Sequence, residues 1–129
     1  VWSHVWLPRG VTLERADRAR ACIVFVHGAG YLQNVSDSLG EYPVNFLFHE
    51  RLARMGYVVL DVDYRGSKGY GALFRGEVQH HLGGLDLDDL ARSVDELAAC
   101  GLIDPRRVGL YGGSYGGFLT LMALFTQPE

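Results

Sequence analysis

Residues 107–125 read RVGLYGGSYGGFLTLMALF. Arg107 to Tyr111 has the short, nearly continuous apolar character of a strand buried on both faces. A run of glycines around Ser114 breaks it. From Phe118 to Phe125 the chain is apolar nearly all round, as in a helix buried in the middle of a domain. A buried strand, a glycine turn and a buried helix in succession are a unit of a layered α/β architecture.

The same alternation extends upstream. His4 to Leu7 reads as a short strand ending at Pro8. Ala21 to Val26 is another apolar, β-branched run, and it ends in the turn His27-Gly28-Ala29-Gly30. Pro43 to Met55 predicts a helix: Val44, Phe48, Leu52 and Met55 recur at helical spacing, and Gly56 gives a stop. Tyr57 to Val62 predicts the next buried strand, followed by a polar, glycine-rich loop through Gly71. The next helix carries Leu87, Leu90, Ala91, Val94, Leu97 and Ala98 on one face, with Asp86 as its expected N-cap, Asp88 and Asp89 in its first turn and Gly101 at its end. Asp104-Pro105 predicts a turn before the strand at Arg107. Strand and helix thus alternate, which implies a mainly parallel sheet, right-handed crossovers and helices on both faces.

Ligands of such sheets sit at the carboxyl ends of the strands. Two glycine-rich turns fall there, His27 to Gly30 and Gly112 to Gly117. The second contains Gly112-Gly113-Ser114-Tyr115-Gly116, a Gly-x-Ser-x-Gly pattern at a strand-to-helix junction. A nucleophilic serine needs that setting. It must stand exposed on a tight, strained turn, with glycines two residues either side so that neighbouring chain can pass. The helix that follows offers unpaired amides and a positive dipole end to a developing oxyanion. Ser114 is therefore the expected nucleophile, with Gly112, Gly113, Gly116 and Gly117 forming its elbow.

Other uses of these glycines fit less well. A dinucleotide fingerprint starting at Gly28 would need glycine where Gln33 stands. A phosphate-binding P-loop would need Lys-Ser/Thr after the last glycine, where Phe118-Leu119 stand. The net charge of -3 and pI near 5.9 give no reason to expect nucleic acid or an anionic membrane as partner. No apolar run reaches the roughly 18 residues of a membrane span. Cys22 and Cys100 are expected as two buried free thiols. No metal or cofactor is implied. The adjacent His80 and His81 read as surface loop, and Asp86, Asp88 and Asp89 match no calcium-loop spacing. Asp61 and Asp63 end a strand near the presumed active face and are expected to shape the Arg65 loop. Tyr31 and Tyr70 are candidates to line a pocket there.

Asp63-Tyr64-Arg65-Gly66-Ser67, Gly69-Tyr70-Gly71 and Gly112 to Gly117 together resemble the prolyl oligopeptidase family of serine peptidases, above all its dipeptidyl peptidase IV-like and acylaminoacyl-peptidase-like members. Val26 to Gly30 and Gly83-Gly84-Leu85-Asp86-Leu87 are similar to the same family's hydrolase domain. The resemblance runs from Cys22 to the end of the chain. It implies an α/β-hydrolase fold, peptide substrates of short length and an upstream β-propeller that restricts access. It implies too that an Asp and then a His follow the nucleophile. Only Tyr115 to Glu129 follow Ser114 here, with neither residue among them, and the last histidine is His81. Residues 1–129 are thus expected to be one partial peptidase domain, ending after the nucleophile helix and lacking its general base. The start at Val1 and the end at Gln127-Pro128-Glu129 fit a piece of a longer protein. Many family members carry a tyrosine where this chain has His27. The expected oxyanion donors are therefore the backbone amides of Gly28 and Tyr115, with His27 supporting the loop. An esterase of the same fold and a catalytically inert fragment are the alternatives.

Overall fold

The computed structural model describes residues 1–127 apart from Arg15 and Leu39. Its sheet has four strands: β1 (Trp2–Trp6), β2 (Arg20–Val26), β3 (Val58–Asp63) and β4 (Ile103–Gly112). They lie in the order β1-β3-β2-β4. β2 pairs in parallel with both β3 and β4, and β1 pairs antiparallel with β3, Trp2 opposite Asp63. The helices are α1 (Pro43–Arg54), α2 (Ala72–Gly76), α3 (Leu85–Ala99) and α4 (Tyr115–Thr126).

Alternation along the strands separates two layers. Val24, Val26, Leu60 and Val62 point to the α3/α4 side and join Leu87, Leu90 and Leu119 in one buried cluster. Removing each such side chain from water contributes about 1.5–3 kcal/mol. The residues between them point to α1. Phe25 meets His49 of α1 and Tyr111 of β4 at ring-centroid distances of 5.1 Å each. The mainly parallel sheet with helices on both faces is the expected architecture.

Several local expectations need correction. The helix expected to be buried all round, α4, has Leu121, Leu124 and Phe125 54%, 61% and 74% exposed, and Arg107 to Tyr111, expected to be buried on both faces, holds no fully buried residue. The face of α1 that turns inward carries His49 and Ala53, while Val44 and Met55 are 77% and 63% exposed. Spacing alone could not choose between the two stripes, because Phe46 shares the buried one and packs on Trp6. Asp86 lies inside α3, whose N-cap is Gly84. Its carboxylate is held by the Gly83 and Leu87 amides and by the Tyr115 hydroxyl. Asp104-Pro105 lies within β4. Pro105 falls where the pairing with β2 shifts register, between Ile103 opposite Arg20 and Val108 opposite Cys22, so no ladder bond is asked of its missing N–H. Cys22 is buried as expected, but Cys100 is exposed at the end of α3.

Candidate active site

β4 ends at Gly112, and α4 begins at Tyr115. The turn between them is tight enough to force Ser114 to φ 55°, ψ −120°, a conformation that costs a non-glycine residue of order 1–3 kcal/mol. The strain holds the side chain away from both elements: Ser114 is exposed, and its hydroxyl has no hydrogen-bond partner among the described residues. The glycines explain how the turn packs. A β-carbon at Gly112 would stand 2.3 Å from the Val26 carbonyl oxygen, and one at Gly116 2.0 Å from it. Gly113 has nothing within 4 Å of that position, and at Gly117 the nearest atom is 3.4 Å away.

The Tyr115 amide opens α4, where no carbonyl of its own helix can reach it. Gly116 N–H turns back to Gly113 O at 2.9 Å and Phe118 N–H to Ser114 O at 3.1 Å, while Tyr115 N–H makes no such bond among the described residues. It is a free donor beside the serine. The Tyr115 ring is anchored on the far side by its hydroxyl, which donates to Asp86. Its face lies against Gly30, where a β-carbon would meet the ring at 3.1 Å.

The first glycine turn meets this elbow directly, since a β-carbon on Gly28 would be 3.2 Å from Gly113 O and 3.6 Å from Ser114 Cβ. Gly28 N–H departs from the expectation of a free donor. It donates to Tyr42 Oη at 2.9 Å. Nothing in the sequence pattern singled out Tyr42. The only signal is its place before Pro43, at the N-cap of α1.

His27 lies wholly inside. Its ring stacks on Tyr64 at 4.3 Å, and its Nδ1 lies 3.0 Å from Gly28 O and its Nε2 2.9 Å from Ser67 Oγ. Burial pushes its pKa down, against the pull of the Gly28 carbonyl and Asp63. A neutral ring fits these contacts, with Nδ1–H donated to Gly28 O and Nε2 accepting from Ser67. Both nitrogens are thus engaged with the loop, and neither meets Ser114. Ser67 belongs to the Asp63-to-Ser67 run, which gives it no role, and it is buried at the centre of this support.

Asp63 is buried beside it and accepts from the Asn34 and Val35 amides and from the Tyr70 hydroxyl at 2.7 Å. Tyr70 therefore ties the 63–71 loop to the sheet. Tyr31 is 55% exposed and joins Arg75, Leu82 and Tyr115 around a cleft of about 440 Å³ next to the elbow. His80 and His81 are exposed. Among the described residues no group of three His, Cys, Asp or Glu is placed to hold a metal, and no helix is long and apolar enough to cross a membrane.

Residues 46–129 match the prolyl oligopeptidase family. The chain is 37% identical over 121 residues to the uncharacterized peptidase YuxL of Bacillus subtilis (strain 168), covering 93% of this chain and 17% of the relative. It is 33% identical over 130 residues to dipeptidyl aminopeptidase BIII of Pseudoxanthomonas mexicana, covering 98% and 18%. Among solved structures, a Mycobacterium tuberculosis puromycin-hydrolyzing peptidase superposes with a TM-score of 0.81 at 30% identity, covering 97% of this chain and 18% of that one. The chain thus spans less than a fifth of the length of these relatives.

Proposed function

Since this chain belongs to the prolyl oligopeptidase family, we propose that it is part of a serine peptidase that cleaves short peptides through an acyl-enzyme on Ser114. The Ser114 oxygen attacks the peptide carbonyl, and the Tyr115 amide receives the charge that develops on the carbonyl oxygen. An imidazole from outside residues 1–129 takes the serine proton and later delivers it to the leaving amine, and a carboxylate, also from outside, orients that imidazole. His27 and Ser67 support the reading indirectly: they fix the Gly28 carbonyl, and with it the loop that borders the nucleophile. An upstream propeller that admits only short peptides belongs to the same reading.

The observation that carries it is the conformation of Ser114. An exposed serine held at positive φ between a strand and a helix, next to an unspent amide, has an evident use as a nucleophile and none in packing. A fluorophosphonate probe should label Ser114 in the full-length protein. Ser114→Ala should lower kcat by about 10³-fold or more. Clean labelling of another serine, with Ser114 untouched, would overturn the assignment.

A further inference from the structure

The engaged Gly28 amide raises the question of what faces the carbonyl oxygen on the side opposite Tyr115. Gly28 has no side chain, and the space its β-carbon would fill is bounded by Tyr42 Oη at 2.8 Å and Ser114 Cβ at 3.6 Å. That position is too crowded to hold an atom, with Gly113 O at 3.2 Å as its third neighbour, but it shows that the hydroxyl and the nucleophile flank the same face of Gly28.

Tyr42 Oη accepts the Gly28 N–H at 2.9 Å, and its own proton has no acceptor among the described residues. A phenol carries one donor and accepting lone pairs, so the bond from Gly28 leaves the donor unspent. Accepting a hydrogen bond also polarises the O–H and strengthens what it donates. The position of the hydroxyl is fixed twice. Tyr42 precedes Pro43, which disfavours the helical region for its backbone, and it stands at φ −124°, ψ 65°. Its ring packs edge-on against Phe25 at a centroid distance of 5.4 Å. A hydroxyl held in place costs no reorganisation when charge appears in front of it.

We propose that Tyr42 is a catalytic residue: its hydroxyl donates to the oxyanion, with Gly28 N–H bonded behind it, and together with the Tyr115 amide it completes the hole. In the step it serves, a bond forms between Ser114 Oγ and the carbonyl carbon. The carbonyl π pair moves onto oxygen, and the serine proton goes to the external base. The Tyr42 proton is shared with the oxyanion and not transferred. The proposal rests on Ser114 being the nucleophile.

The test uses the full-length enzyme. Tyr42→Phe keeps the ring and its contact with Phe25 and removes only the hydroxyl. It should lower kcat at least about tenfold while KM changes little, since one such donor is worth about 10²-fold or more and the freed Gly28 amide can recover part of it. Affinity for a peptide aldehyde, which forms a tetrahedral adduct, should fall by a similar factor, while affinity for a cleaved product peptide should hold. If Tyr42→Phe proves unstable, an intrinsically more acidic fluorinated tyrosine at 42 serves instead. It should bring in an alkaline loss of kcat absent from the wild type, because a phenolate has no proton to donate. Unchanged kcat and aldehyde affinity in Tyr42→Phe, or an unchanged pH profile with the fluorinated residue, would overturn the proposal. Ser114→Ala, assayed alongside, separates the two readings: activity surviving in that variant removes the nucleophile itself, whereas its loss, with Tyr42→Phe fully active, removes only the role of Tyr42.

Discussion

A β-carbon on Gly116 would stand 2.0 Å from the Val26 carbonyl oxygen and 3.0 Å from that of His27, and both are backbone atoms that cannot swing aside. Gly116→Ala should therefore push α4 off the end of β2 and cost about 2 kcal/mol or more. It should slow the enzyme as well, because the same movement displaces Ser114. Gly113→Ala meets nothing within 4 Å and should leave the melting temperature within about 1 °C. Thermal melts of the two full-length variants check this, and equal losses would mean that the elbow does not pack on β2 as described. The pattern singles out Gly112 and Gly116, two residues either side of Ser114, as the positions where chain must pass, and these are the two whose β-carbons would strike the Val26 carbonyl; what the pattern does not record is which backbone each one faces. The place of Ser114 on a strand-to-helix turn was legible, since its neighbours change from strand to helix character on either side. Tyr42 was not. Its relation to Gly28 crosses from a helix cap to a strand end, and no spacing rule encodes that.

The 64–71 loop has no regular structure to hold it, yet it carries Ser67, which bonds His27. Besides the Tyr70–Asp63 bond, a partly buried charge pair ties its start to α3. Asp89 of α3 accepts the Arg65 amide at 2.8 Å, Nε at 2.9 Å and an outer guanidinium nitrogen at 2.8 Å. Asp89 is 6% exposed, so the Arg65 groups take the place of water around its carboxylate. Asp89→Asn should then cost about 2 kcal/mol in thermal or denaturant unfolding, below the range for fully buried pairs because the guanidinium is partly exposed. Arg65→Lys should not be tolerated much better, since an ammonium cannot reproduce the fork that meets both carboxylate oxygens. Wild-type melting in both variants would show that the loop is held by other means. Element positions were largely legible from the sequence: β2, β3, α1 and α3 fall within a few residues of their expected bounds. The roles of the acidic residues in α3 were not. Asp86 and Asp89 sit in the first two turns, where dipole and capping explain an acid without further assumption. Each proves to be the anchor of a partner distant in sequence, Tyr115 and Arg65.

The sheet divides the molecule into an apolar layer under α3 and α4 and a second layer under α1 where titratable groups are buried. Apolar periodicity reveals the first and is silent on the second. Asp61 and His49 are 1% and 0% exposed, and Asp61 Oδ1 and His49 Nδ1 have no hydrogen-bond partner among the described residues. Burial pushes the Asp61 carboxyl up from 3.8 to about 7, with the Asp63 charge adding to it and the Asn34 bond opposing, and burial pushes His49 down from 6.5 to about 4. Between the ordinary value and about 7 the folded protein holds the Asp61 proton that the unfolded chain has lost, so this group makes stability fall as pH rises. Between about 4 and 6.5 the unfolded chain holds the His49 proton that the folded protein has lost, so His49 makes stability rise over that range. Buried His27, whose pKa is also lowered, acts in the same direction as His49. The opposing slopes mask one another in the wild type. Asp61→Asn keeps an acceptor for Asn34 and removes only the falling contribution. The melting temperature of the variant relative to wild type should therefore climb steadily from about pH 4.5 to about 7 and level off above. His49→Gln should show the reverse, its relative melting temperature declining up to about pH 6.5. A pH-independent difference for Asp61→Asn would mean that Asp61 is ionised in the folded protein, which would require a cation or water on its free oxygen.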